Sequence, residues 1–147
     1  MANLNFVIDN DFTRMIERLE NVEEIAPKIL HAGGSVLLTY VKRGIIANGS
    51  DKSHQLYRSM NMKVFKGKHG GFYATVNPLG YSQKYMDKDG NIKTRSEAVA
   101  NARKLIAIEY GTRKQYPKPF MQKAINDAKS EIEKVMQQVF EEEVNGR

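Results

Sequence analysis

The chain has 147 residues, 41% of them hydrophobic and 27% charged, a size and balance that suit one folded domain and exclude a disordered or fibrous chain. Cysteine is absent, which removes disulfides, thiolate metal sites and cysteine nucleophiles together. The net charge of +6 is uneven: residues 28–118 hold 17 basic and 5 acidic side chains, whereas both flanks are net acidic.

No basic stretch followed by an apolar one opens the sequence, and no apolar run nears the roughly 18 residues of a membrane span. The expectation is a protein made and kept in a cytoplasm, with no membrane partner. Leu4, Phe6 and Ile8 alternate as a short strand or arm would. Phe12, Met15, Ile16, Leu19 and Val22 then form the apolar stripe of an amphipathic helix. Pro27 suits a first helical turn, which predicts a break or kink before a second helical stretch reaching about Ile46. Gly33 and Gly34 lie in that stretch, where glycine costs about 1 kcal/mol of helix propensity and usually marks a close approach of another element.

Sheet is expected next. Leu56 to Phe65 and Phe72 to Val76 flank the basic, glycine-rich turn Lys66–Gly71, as in an antiparallel hairpin. A second hairpin pairs Gln83–Met86 with Asn91–Thr94 around Asp87, Lys88, Asp89 and Gly90. Ser96 is placed to cap a helix from Glu97 to about Ile108, stopped by Gly111. The basic segment Arg113–Lys118 follows, and beyond Pro119 the residues Met121, Ile125, Ala128, Ile132, Val135, Met136 and Val139 fall on one face of a long helix. These elements predict an α+β fold over 1–147, in which an antiparallel sheet of three to five strands packs against an N-terminal helical region and a long C-terminal helix.

Chemistry leaves little trace. His31, His54 and His69 are isolated, and none has a second ligand at helical or strand spacing, so no metal is expected. Asp87, Asp89 and Gly90 begin like a calcium loop, but Ala98 stands where such a loop needs glutamate, and a hairpin turn explains them. No nucleophile elbow, Ser-x-x-Lys pair or helix-opening phosphate loop is present, so neither a catalytic residue nor a cofactor is assigned, and no enzymatic activity is expected.

Residues 109–120 are more informative. Gly111 suits a helix stop with positive φ, Thr112 can bond back to the turn, and Pro119 suits N1 of the last helix with Phe120 turned inward. Glu109-Tyr110-Gly111-Thr112, followed by Pro117-Lys118-Pro119-Phe120 ahead of a terminal amphipathic helix, resembles the signature of the gene-ten-like tail-component family of bacteriophage HK-ninety-seven. Leu56 and Ser59, with Met60, are similar to that family's Leu and Ser-Ile positions before a strand, whereas His54 stands where the family usually has glycine. Residues 78–96 look like an insertion that some members carry. The resemblance covers residues 10–143 in order of elements, and its specific motif covers residues 109–120.

The resemblance implies a structural neck or minor tail protein of the head–tail junction, found in the virion and made in the bacterial host cytoplasm. Its partners would be further copies of itself in a ring, together with other head–tail connector and tail proteins. On this reading Glu109, Tyr110, Gly111, Thr112, Arg113, Lys114, Lys118, Pro119 and Phe120 place the terminal helix and contribute to the subunit contact. The basic residues among them would meet a neighbour's acidic first helix, with Glu17, Glu20, Glu23 and Glu24. The alternative is a small nucleic-acid-binding module, in which Lys63, Lys66, Lys68 and His69 meet DNA phosphates or another partner and hairpin aromatics stack on bases.

Overall fold

The computed structural model describes residues 21–145. The expected strand at residues 4–8 and nearly all of the helix expected from Phe12 onward lie outside the described residues. Helix α1 spans Val22–Asn48 without interruption. The break expected at Pro27 is not found: the helix opens after Asn21, whose backbone carbonyl accepts from the N–H groups of Glu24 and Ile25, and runs through Pro27. Pro27 stands early enough in the helix for its missing N–H to leave the long downstream ladder intact. At the other end Gly49 takes a left-handed conformation, with φ 73°, and its N–H returns to Ile46.

Residues expected to begin a strand form a short helix, α2 (Gln55–Ser59). Asp51 explains the change, because its carboxylate accepts from the Leu56 N–H at 3.2 Å and the Tyr57 N–H at 2.8 Å and so caps a helical turn. Strands β1 (Met60–Lys66) and β2 (Phe72–Pro78) then form an antiparallel ribbon in which Met60 faces Pro78 and Lys66 faces Phe72. The second hairpin joins β3 (Tyr81–Met86) to β4 (Ile92–Ala100), with a register shift between Ser82 and Lys84. Helix α3 (Asn101–Tyr110) and helix α4 (Met121–Asn145) complete the described chain.

The α+β class expected from the sequence is found, with four strands among the described residues arranged as two separate two-stranded sheets. Pro78 ends β2 without a donor and Gly80 turns the chain at φ 70°, so β3 leaves the first ribbon and does not extend it. The helix expected from Glu97 begins only at Asn101. Pairing of Ser82 with Val99 and of Tyr81 with Ala100 carries the strand past Ser96, and cross-strand pairing overrides local helix propensity there.

Helix α1 is the centre of the molecule. One side packs on α4, which runs antiparallel to it: Gly44 lies beside Phe120 and Ala124, and Gly33 beside Ile132 and Met136. Its other side meets the first ribbon, where Gly34 lies against Met62 and Ala74. The terminal helix therefore packs chiefly on α1 and not on the sheet face expected for it. One hydrophobic cluster joins α1, α2, β1, β2, α3 and α4, and burial of Ile29, Val41, Leu56 and Ile132 contributes roughly 1.5–3 kcal/mol each. No residue of β3 or β4 belongs to that cluster.

Candidate interaction surface

The segment that links α3 to α4 is pinned at several points. Gly111 has φ 76° and ψ 178°, and a Cβ there would stand 2.8 Å from the Gln115 carbonyl oxygen and 2.9 Å from the Pro117 ring. The Gly111 N–H returns to Ala107, and Thr112 and Gln115 exchange two backbone hydrogen bonds, folding residues 112–115 into a tight turn. The Lys114 N–H donates to the Thr112 hydroxyl at 3.2 Å, a local bond expected of that residue. Farther on, the Lys118 N–H donates to the Ile108 carbonyl and the Asn48 side-chain amide to the Lys118 carbonyl, which ties the connection to α3 and to the end of α1.

Glu109 has a part that spacing alone does not disclose. Its Oε1 accepts from the N–H groups of Phe120 at 2.9 Å and Met121 at 3.0 Å, so a carboxylate from the end of α3 caps α4. The negative charge also faces the positive end of the α4 dipole. Pro119 precedes this cap and does not occupy N1, because the helix opens at Met121. Phe120 is buried, as expected, with its ring against Gly44.

The same connection presents its remaining side chains outward. Tyr110 is 76% exposed and Tyr116 90%, while Arg113, Lys114 and Lys118 are exposed and carry no ion pair with a described carboxylate. The segment thus exposes two aromatics and three cations within nine residues, the residue types that interfaces favour. Sequence reasoning named Tyr110 but omitted Tyr116, although an aromatic in a proline-punctuated basic segment is a readable signal. The acidic residues expected to receive the cations are otherwise engaged within the chain: Glu23 pairs with Lys66 at 2.5 Å, and Glu24 lies 3.9 Å from Lys28. Lys66 holds the Glu23 carboxyl below the usual range through a hydrogen bond and its charge. Glu17 and Glu20 lie outside the described residues.

Beside this connection the β3–β4 hairpin is solvated almost throughout. Every residue from Ile92 to Ala98 is exposed, and so are Tyr81, Gln83 and Lys84 on the partner strand. Its tip is nevertheless ordered: Asp87 accepts from the N–H groups of Asp89 and Asn91 and pairs with Lys93 at 2.9 Å, which lowers its carboxyl below the usual range, chiefly through Lys93. At its root, the Asn101 side-chain amide donates to the Leu79 carbonyl.

The first ribbon divides the four proposed phosphate contacts. Lys63 is on the outer face with Phe65 and Tyr73, whose rings stack at 5.4 Å. Lys66 is turned away to Glu23, and Lys68 and His69 stand in the loop, which closes through the Gly67 N–H to Gly71 and the Gly70 N–H to Gly67. These four side chains do not converge on one surface. Among the described residues no three acidic, histidine or cysteine side chains gather as a metal site, and no helix is long and apolar enough to cross a membrane. Comparison of the chain with family models, with curated proteins and with solved structures gives no match.

Proposed function

We propose that this chain is a structural subunit of a bacteriophage or prophage particle, acting at the head–tail junction by contact and not by catalysis. In this reading copies associate into a closed ring in the virion and touch connector and tail proteins on either side, after synthesis in the bacterial host cytoplasm. The observation that carries it is the β3–β4 hairpin, a folded two-stranded ribbon whose residues 92–98, with Tyr81, Gln83 and Lys84, are exposed and which lends no residue to the hydrophobic cluster. Such a ribbon is marginal alone, and covering by a neighbouring chain supplies the missing buried face. The connection adds further exposed side chains, Tyr110 and Tyr116 with Arg113, Lys114 and Lys118. Exposed Glu133 and Glu142 on α4 provide an acidic counterpart on another copy.

Two details favour the family resemblance. Glu109 and Phe120, from the two halves of the motif, meet through the α4 cap, so the motif reads as one structural device. His54, which replaces the family's usual glycine, has φ 57°, a left-handed conformation that glycine would adopt without strain.

Sedimentation of the wild type and of the combined Arg113→Glu, Lys114→Glu and Lys118→Glu variant across a concentration series tests the reading, alongside a particle-incorporation assay. The variant is expected to keep its melting temperature and to lose self-association or incorporation. Identical sedimentation and incorporation for both proteins would reduce the segment to a connection. The stacked Phe65–Tyr73 pair beside Lys63 favours the nucleic-acid-binding alternative, which requires DNA retention that falls steeply with salt and depends on Lys63.

A further inference from the structure

A cleft of about 480 Å³ opens between the loop before α2, the β3–β4 hairpin and α3, with Gln115 of the connection at its edge. Three separate elements bring four cations to it: Lys52 from the loop, Arg95 from β4, and Arg103 and Lys104 from α3. None of the four forms an ion pair with a described carboxylate. Asp51 is the acidic residue lining the cleft, and its two oxygens are occupied by the Leu56 and Tyr57 N–H groups. The guanidinium of Arg95 lies 5.0 Å from the centre of the Tyr85 ring, which orients it at the cleft wall.

We propose that this cleft binds a small anion carrying two or more phosphoryl groups, of nucleotide size. Its apolar floor, including Leu56 and Ile108, lowers the local polarity and strengthens attraction between the rim cations and an anion. Two arginines from different elements offer planar donor pairs suited to phosphoryl oxygens, and two lysines add mobile point charges. Asp51 offsets only part of the positive charge that these four side chains bring to the cleft, and an anion offsets more. Lys104 registers that condition: burial of its ammonium holds it below the usual lysine range, Asp51 pulls the other way, and Arg95 depresses it further. A bound polyanion returns the Lys104 ammonium towards its ordinary value, and this supplies a reporter independent of affinity.

The test is calorimetric titration of the full chain with pyrophosphate at near-physiological salt, repeated with the Arg95→Ala/Arg103→Ala pair and with Lys134→Ala as a control on the exposed face of α4. Saturable one-to-one binding is expected, weakened about tenfold or more in the arginine pair and little changed in the control. Amine-selective labelling of the wild type at mildly alkaline pH should mark Lys104 early, and pyrophosphate should suppress that labelling. A short DNA duplex is the second arm. Competition with pyrophosphate that disappears in the arginine pair would support the phosphoryl site and name a nucleic-acid backbone as its source, whereas no competition would support a free small phosphate. Absence of saturable pyrophosphate binding, binding indifferent to the arginine pair, or Lys104 labelling unaffected by pyrophosphate would each overturn the proposal. None of these outcomes depends on self-association, so the site stands or falls separately from the ring.

Discussion

Gly111 and Glu109 stabilise the connection in different ways, and substitutions should separate them. Gly111→Val places a branched side chain at positive φ against the Gln115 carbonyl and the Pro117 ring, neither of which can swing away. Equilibrium urea unfolding should give a loss of at least about 1–3 kcal/mol. Glu109→Ala removes the acceptor for two N–H groups at the start of α4 and should cost about 0.5–2 kcal/mol in the same measurement. Glu109→Gln keeps an acceptor oxygen and should retain part of the loss, since only the charge facing the helix dipole is gone. The positive φ of Gly111 and the burial of Phe120 were legible because each is a local requirement of one residue type at a helix end. The cap by Glu109 was not, because it joins residues 11 positions apart through a turn whose shape no spacing rule supplies.

Among the elements, the glycines of α1 record how closely its neighbours approach. A Cβ at Gly34 would meet the flexible Met62 side chain at 2.8 Å, whereas one at Gly44 would meet the Phe120 ring at the same 2.8 Å. Gly34→Ala should therefore be nearly neutral in thermal melts, the repacking of methionine offsetting a helix-propensity gain of about 1 kcal/mol. Gly44→Ala should destabilise, because the ring is enclosed and its displacement disturbs the start of α4. A pH effect belongs to the same helix pair. The Tyr40 hydroxyl donates to Glu131 on α4 at 2.6 Å, and that bond, with burial and the carboxylate's charge adding, raises the phenol above its ordinary value of 10.0. The contribution is complete below that value and is lost as pH climbs through the raised one. Alkaline thermal melts should show the added fall in wild type and lack it in Tyr40→Phe. The stripes of α1 and α4 were readable from their periodicity, as was each hairpin from its turn residues. What they could not supply was the partner of each face: α4 takes α1 in place of the sheet, and β4 runs on to Ala100 because its pairing with β3 outweighs the cap signal of Ser96.

For the whole molecule, the separation between core and hairpin makes a prediction about where the fold opens first. The amides of β3 and β4 should exchange far faster in a dilute sample than those of α1 near Val41 or α4 near Ile132, which are buried in the common cluster. Raising the protein concentration should slow exchange in the hairpin if neighbours cover it, with little change elsewhere. Exchange mass spectrometry at two concentrations makes the comparison, and equal hairpin protection at both would argue against that covering. The uneven charge of the sequence also acquires a location: Arg103, Arg113, Lys114 and Lys118 stand exposed along α3 and the connection, while exposed acids are carried by α4 on the other side of the chain's order.

Because the core closes without it, the β3–β4 hairpin is free to vary at little cost to folding. Lengthening, trimming or rewriting its tip leaves the packing of α1, α4 and the first ribbon undisturbed, provided that Asn101 keeps its hold on Leu79 at the root. The hairpin is thus a natural place for grafting: a foreign epitope or a fluorescent tag set between Asp87 and Asn91 would leave the body folded and would report, by its accessibility, whether a neighbour covers the ribbon. It is equally the place where adaptation to a new neighbour can proceed without first renegotiating stability.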